Sequence, residues 1–375
     1  MIRLATLFFP ECFPMRTLSA LFMVFVTMVA CALPACGQVP QQDSPKKVQA
    51  KEEPKLKIGD PAPAWVVTTW LNGNEVKREK DKVYLIEFWA TWCTPCIAAM
   101  PHLAELQADH KAEGLVVIGM THKDEIGNDQ ASVTQFVKER GAKLGYVFAY
   151  CDTSETYAAY MDASGQRGIP CSFVIDQEGK IAYIGHPATL DTVLPKVLAG
   201  KWKGKDDAQA VTKMNDSVEQ IVEIMEKDPQ TALASLRELI QTYPDAAKTV
   251  RVRGVHLGIL MAAKKFYEAK TVAADLLAEA EKKQRVTPAV YALSLGNRNV
   301  NPEKKNIDVA VQAADLVVKL ADDYRHLLGA TDVYAVAGLK DKATAAGRKT
   351  VEAAPTERAK RDVGKVVDKI LSEIK

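Results

Sequence analysis

The stretch Phe88-Trp89-Ala90-Thr91-Trp92-Cys93-Thr94-Pro95-Cys96 (FWATWCTPC) closes an unbroken apolar run, Val83–Trp89, and leads into a helical pattern at Pro101–His110. A continuous apolar run of this kind reads as a strand buried on both faces of a parallel sheet. Cys93 then stands where a strand ends and a helix begins, with Pro95 in the first helical turn, where a missing N–H costs nothing. Unpaired amides and the helix dipole at that end favour a thiolate over a thiol. A lowered pKa raises the nucleophilic fraction at neutral pH, and Cys96, one turn in, is placed to attack the mixed disulfide that results.

Other uses of the pair have to be weighed. Half of a zinc site needs a second ligand pair of short spacing; Cys151 and Cys171 are far apart, and His102, His110, His122, His186, His256 and His326 are scattered. Covalent haem attachment needs His directly after the second cysteine, where Ile97 stands. A copper chaperone of the Sco type is a minor alternative, with His186 as the candidate distal ligand, although its cysteines are spaced more widely. A structural disulfide closing so short a loop removes little unfolded-state entropy. Exchange is the reading that uses the spacing, and it requires neither metal nor cofactor.

Outward from this stretch, the pattern alternates. Trp65–Trp70 is β-rich, and Asn72-Gly73 predicts a hairpin turn after it. Leu115–Thr121 is a second buried strand, with a helix at Ser132–Arg140 and a short strand at Tyr146–Tyr150. A further helix precedes Cys171–Asp176 and Lys180–Gly185, two strands around Gln177-Glu178-Gly179, and the helix Thr189–Gly200 closes the unit near Trp202. This describes an α/β domain over residues 55–202, its sheet flanked by helices.

From residue 203 to 375 the strand signal disappears. Ala232, Leu236 and Leu239 are spaced four and then three, as are Ala269, Ala273 and Leu276; Ala310, Ala314 and Val317; and Ala343, Gly347 and Thr350. Each set marks one helix face, recurring at intervals of roughly 35–40 residues. With Tyr334, Gly338, Pro244 and Pro355, the region resembles a degenerate tetratricopeptide array, an all-α helical-repeat domain of stacked helix hairpins.

Residues 1–37 read as an export signal: Arg3 and Arg16 precede the apolar run Leu18–Leu33, which is short of the ~20 residues that span a bilayer comfortably. Leu33-Pro34-Ala35-Cys36 loosely resembles a lipobox, making Cys36 a candidate lipid anchor at the cell envelope. Residues 38–54 are polar and Pro-containing, a flexible linker. Export to the periplasm or envelope places Cys93, Cys96, Cys151 and Cys171 where disulfides persist. The chain of 375 residues is 47% apolar, enough for about two domains. A net charge of +2, from 49 basic and 47 acidic side chains, builds no field for a polyanion and argues against nucleic acid as a partner.

FWATWCTPC, Pro101, Gly168-Ile169-Pro170 leading into Cys171–Asp176, and the entry segment Ile58–Pro63 together resemble the thioredoxin superfamily, and within it the exported TlpA/ResA-type thiol-disulfide oxidoreductases. The resemblance implies a thioredoxin-like sheet over residues 55–202, with protein disulfides as substrates, mostly reduced, and a membrane-bound or soluble electron donor. It implies Cys93 as attacking thiolate, Cys96 as resolving thiol, and a cis Pro170 facing them to present the substrate backbone. Trp92, Thr94, Pro95 and Ile169 line the substrate groove. Glu87 matches thioredoxin's buried acid, which accepts the proton of the second cysteine, its pKa raised by burial. The exported branch instead carries an acid three residues after the second cysteine; that position is Ala99 here. Cys171 stands where the family has Thr or Ser, so it is either a candidate accessory thiol or a small buried residue. A protein partner on the helical domain, with the redox part as accessory, is the rival function.

Overall fold

The computed structural model describes residues 54–354 and 356–374. The export signal, Cys36, most of the expected linker and Pro355 lie outside the described residues.

Strand β2 (Val83–Phe88) is buried at every position and sits at the centre of a six-stranded sheet of order β1-β4-β3-β2-β5-β6. It pairs in parallel with β3 (Leu115–His122), which pairs in parallel with β4 (Val147–Cys151). On its other side it pairs antiparallel with β5 (Cys171–Ile175), which pairs antiparallel with β6 (Ile181–Gly185). This is a thioredoxin-like mixed sheet.

Alternation along the strands divides the core. Val83 and Leu85 face helix α1 (Thr94–His110), through Cys96, Met100, Leu103 and Leu106. Tyr84, Ile86 and Phe88 face the opposite layer, with Tyr160, Phe173 and Cys171. Each large side chain so buried stabilises the fold by roughly 1.5–3 kcal/mol. Helix α2 (Gln130–Phe136) runs through a π turn into α3 (Ala142–Leu144), and α4 (Glu155–Tyr157) continues likewise. Helix α5 (Leu190–Leu198) packs beside α1.

The hairpin expected at Asn72-Gly73 does not form. Strand β1 (Thr69–Leu71) pairs antiparallel with β4, far along the chain. Asn72 does take a left-handed conformation, φ 56°, but its amide donates to the carbonyls of Gly141 (2.7 Å) and Tyr146 (2.8 Å). The turn dipeptide therefore bends the chain across the sheet edge, and these long-range bonds replace a local ladder.

Beyond the sheet the chain is all helical: α6 (Lys205–Met225), α7 (Pro229–Thr242), α8 (Val250–Ala262), α9 (Phe266–Lys283), α10 (Val286–Ala292), α11 (Ile307–Leu320), α12 (Tyr324–Val336), α13 (Lys340–Glu352) and α14 (Glu357–Ser372). The four apolar sets of the sequence lie on α7, α9, α11 and α13, and all are buried. Gly338, at φ 76°, ends α12 in a conformation that side chains disfavour. Helix α6 is shared: Ala208 and Val211 join the core beside α1, whereas Met214, Val218 and Ile221 join the helical core. Among the described residues no helix is long and apolar enough to cross a membrane.

The far end of α1 is stapled to the helical region. Arg285, itself buried, pairs with Asp109, and the Thr287 hydroxyl donates to Glu105 at 3.3 Å. Burial pushes the Glu105 carboxyl up to about 7, with His102 and Arg285 opposing it. Its folded pKa is thus raised, so its contribution to stability is fully present below about pH 4.5 and is lost as pH rises through about 7. Glu105→Gln should abolish this loss, leaving the variant more stable than the wild type at pH 8 by about 1–2 kcal/mol. Urea unfolding at pH 5 and pH 8 measures it; an unchanged difference between the two pH values would disprove the assignment.

Candidate active site

The apolar strand β2 delivers the chain to the rim of the sheet, where it turns and enters α1. Cys93 caps that helix: its Sγ accepts from the Cys96 backbone N–H at 3.2 Å. Pro95 stands in the first turn, and Pro101 lies inside the helix. Cys93 and Cys96 form a disulfide of 2.07 Å, with Cα atoms 5.3 Å apart. Both cysteines are buried, Cys93 being only 3% exposed. Trp92, Thr94 and Pro95 are exposed; half-buried Ile169 packs against the core that holds both cysteines, and its bond to half-buried Pro170 is cis.

Glu87 is 2% exposed and lies in central β2, paired in register with Gly119 and Ser172. Alternation puts it on the same face as Val83 and Leu85, the face that α1 covers. The Ser172 hydroxyl donates a short hydrogen bond to its carboxylate. A Cβ on Gly119 would lie 2.8 Å from the Phe148 ring, so the position opposite Glu87 has room only for glycine. Ala99, where the exported branch would carry an acid, is buried.

Cys171 follows Pro170 directly but belongs to the opposite layer of the sheet from the disulfide, among Phe88, Tyr160 and Phe173. Burial, with Glu87 adding to it, pushes its thiol far above the usual range. Cys151 is equally buried; burial raises it to about 11, and its Sγ donates to the Val66 carbonyl at 3.0 Å. Both are free thiols held protonated. His186 is spent on the backbone, accepting from Ala188 N–H at 3.2 Å, and burial lowers its pKa to about 4. His102 pairs with Asp191 at 3.1 Å, away from the disulfide along α1 and α5. Among the described residues no three His, Cys, Asp or Glu side chains converge to hold a metal ion.

Sequence reasoning missed the loop between β3 and α2. Asp124 accepts from the Trp92 indole at 2.6 Å and from the backbone of Ile126 (2.8 Å) and Asn128 (2.9 Å). Desolvation works against its charge, yet these donors hold the carboxyl below its usual range. Asn128 is 1% exposed and bonds the chain on both sides of it. Ser172 was missed as well. None of the three was legible as a site residue, because the partner that ties each to the site, Trp92, Thr91 or Glu87, stands some 30 to 85 positions away.

The arrangement can exchange disulfides: a sulfur at a helix N-terminus, a second sulfur one turn on, and a buried carboxyl on the same side of the sheet. A family profile described as Redoxin matches residues 57–197. The chain is 33% identical over 163 residues to thiol-disulfide oxidoreductase ResA of Bacillus thuringiensis subsp. konkukian, covering 43% of this chain and 84% of that protein. It is 26% identical over 212 residues to protein FixW of Rhizobium leguminosarum, covering 51% and 93%. A solved thioredoxin-like protein in its oxidized form is 25% identical, covering 38% of this chain and 96% of that one, with a TM-score of 0.32.

Proposed function

Since this chain belongs to the ResA-type thiol-disulfide oxidoreductases of the redoxin family, we propose that it reduces protein disulfides outside the cytoplasm, with Cys93 and Cys96 as its redox pair. The observation that carries this reading is the Cys93–Cys96 disulfide at the cap and first turn of α1, where the Cys96 N–H meets Cys93 Sγ. In the reduced enzyme the Cys93 thiolate, favoured by the Cys96 N–H and the helix N-terminus, attacks one sulfur of a substrate disulfide. That bond breaks, the first substrate sulfur leaves as a thiolate, and the second stays joined to Cys93. Cys96 then gives its proton to Glu87 and attacks Cys93 Sγ, expelling the second substrate thiolate. Two electrons have passed to the substrate, and the enzyme is left as the disulfide; a dithiol donor returns it to the reduced state by the same steps in reverse. Trp92, Thr94, Pro95 and Ile169 form the surface the substrate crosses, and Pro170 sets its backbone beside Cys93. Cys171, facing the other layer with its thiol held protonated, serves packing.

On this reading the chain divides into an export signal 1–37, a linker 38–54, a redox domain 55–202 whose core is completed by Ala208 and Val211 of α6, and a tetratricopeptide-like array from 203. The export reading rests on the leader pattern, and Cys36 is its candidate anchor. A specific observation favours a part for the array in holding the partner. A cleft of about 580 Å³ runs between α1 and the helical region, where Ile97, Met100, Pro101, Phe136, Val286 and Leu327 line it together with charged side chains such as Arg140, Lys143, Asp323 and Glu352. Ile97 and Pro101 follow Cys93 at helical spacing, so the cleft continues the face that begins at the attacking sulfur. Its occupant is the chain flanking the substrate cystine, which meets both apolar and charged side chains there.

Trapping tests both points. Cys96→Ser cannot resolve the mixed disulfide, so adducts on Cys93 should accumulate and be identifiable by mass spectrometry. Lysine cross-links from the adduct to Lys349, on the cleft wall, are expected. Recovery of no adduct above a Cys93→Ser, Cys96→Ser control would refute the redox function; an adduct linked only to residues before 203 would refute the part given to the array.

A further inference from the structure

We infer that Asn128 is a positioning residue for the exchange reaction: it clasps the loop bearing Cys93 to the end of β3 and so keeps the free thiolate at the helix N-terminus. This rests on the exchange reading above and assigns a role to a side chain that touches neither cysteine.

The geometry uses all that a carboxamide offers. Oδ1 accepts from Thr91 N–H at 2.9 Å and Thr91 Oγ1 at 3.0 Å; Nδ2 donates to Thr121 Oγ1 at 2.8 Å and to the His122 carbonyl at 2.7 Å. Two acceptor positions and two donors are thus filled, at a site 1% exposed. Thr121 in turn donates to the Trp89 carbonyl at 2.6 Å, and Trp89 N–H donates to the Met120 carbonyl at 3.1 Å. The loop from Trp89 to Cys93 is therefore tied to β3 at residues 89 and 91. No other side chain of this size supplies both pairs: an aspartate lacks the donors, and an apolar residue would bury the Thr91 N–H unpaired.

The clasp acts unequally on the two redox states. In the disulfide a covalent bond to Cys96 already holds Cys93 at the cap. In the dithiol that bond is gone, and the sulfur keeps its N–H partner and the helix field only if the preceding loop stays fixed. Loosening the loop thus destabilises the reduced thiolate more than the disulfide, which raises the Cys93 pKa and shifts the couple toward the disulfide.

The test uses the full chain with Asn128→Ala and Asn128→Asp. The pH dependence of Cys93 alkylation by iodoacetamide and the redox equilibrium in glutathione buffers are measured beside thermal stability. The Cys93 pKa is expected to rise by about one unit in both variants, and the equilibrium to move about tenfold toward the disulfide, about 30 mV more negative. A lower melting temperature with both redox quantities within twofold of wild type would reduce Asn128 to a structural residue and overturn the inference. Should neither variant fold, Thr91→Val removes one bond of the clasp; a smaller shift in the same direction supports the inference, and a Cys93 pKa equal to wild type overturns it. An ordinary thiol pKa for Cys93 in the wild type itself would mark failure of the exchange reading instead.

Discussion

Cys93→Ser is expected to lower the reduction of a protein disulfide such as insulin by roughly a thousandfold or more, because no other described thiol can take its place. Cys151 and Cys171 are buried and held protonated, and Cys171 lies in the opposite layer of the sheet. Cys96 lies inside the first turn, whereas Cys93 at the cap accepts the Cys96 N–H, so Cys93 is the sulfur that the helix end favours as a thiolate. The fold should survive: serine is a favoured helix cap and can accept the Cys96 N–H as the sulfur does. The lost disulfide closes a loop too short to constrain the unfolded chain strongly. Insulin reduction driven by dithiothreitol, with circular dichroism as the control for folding, reads the result. A folded variant within tenfold of wild type would show that the attacking sulfur has been misassigned.

Glu87→Gln carries the second large effect. The amide matches the carboxylate in shape and can still accept from Ser172, but it takes no proton from Cys96. Release of substrate from the mixed disulfide should slow about a hundredfold near pH 7, in the range a positioned acid–base group supplies. The deficit should shrink as pH rises and hydroxide takes over removal of the Cys96 proton. Stability should stay level or rise, since a buried carboxyl is replaced by a neutral group. Rapid-quench measurement of mixed-disulfide decay across pH separates this from a packing effect. A uniform slowing at every pH would assign Glu87 to packing.

How much of this could be read beforehand depended on distance along the chain. The strand, the cap and Pro95 occupy a few consecutive positions, so burial, dipole and turn chemistry act between neighbours and leave a pattern in the letters. The sets on α7, α9, α11 and α13 were equally legible, because one helix face repeats at fixed spacing and all four sets are buried. Asn72-Gly73 misled because its turn chemistry is real while its partners, Gly141 and Tyr146, come from elsewhere. Glu87 was conspicuous as the one charge in an apolar strand, but Ser172 beside it was not. Asn128 looked like any polar loop residue; its importance arises from Thr91, Thr121 and His122 arriving around it after folding.

The shared helix α6 has a consequence for anyone dividing the molecule. At 1.5 Å per residue its 21 residues make a beam of about 30 Å. One end of that beam is cemented into the wall behind the redox pair, and the other into the helical region. A cut at residue 202 would pull Ala208 and Val211 out of that wall and bare the apolar flank of α1, so a fragment ending there would be a damaged and sticky enzyme. Excision just beyond Val211 would keep that wall, although it would still free Asp109 and Glu105 from Arg285 and Thr287.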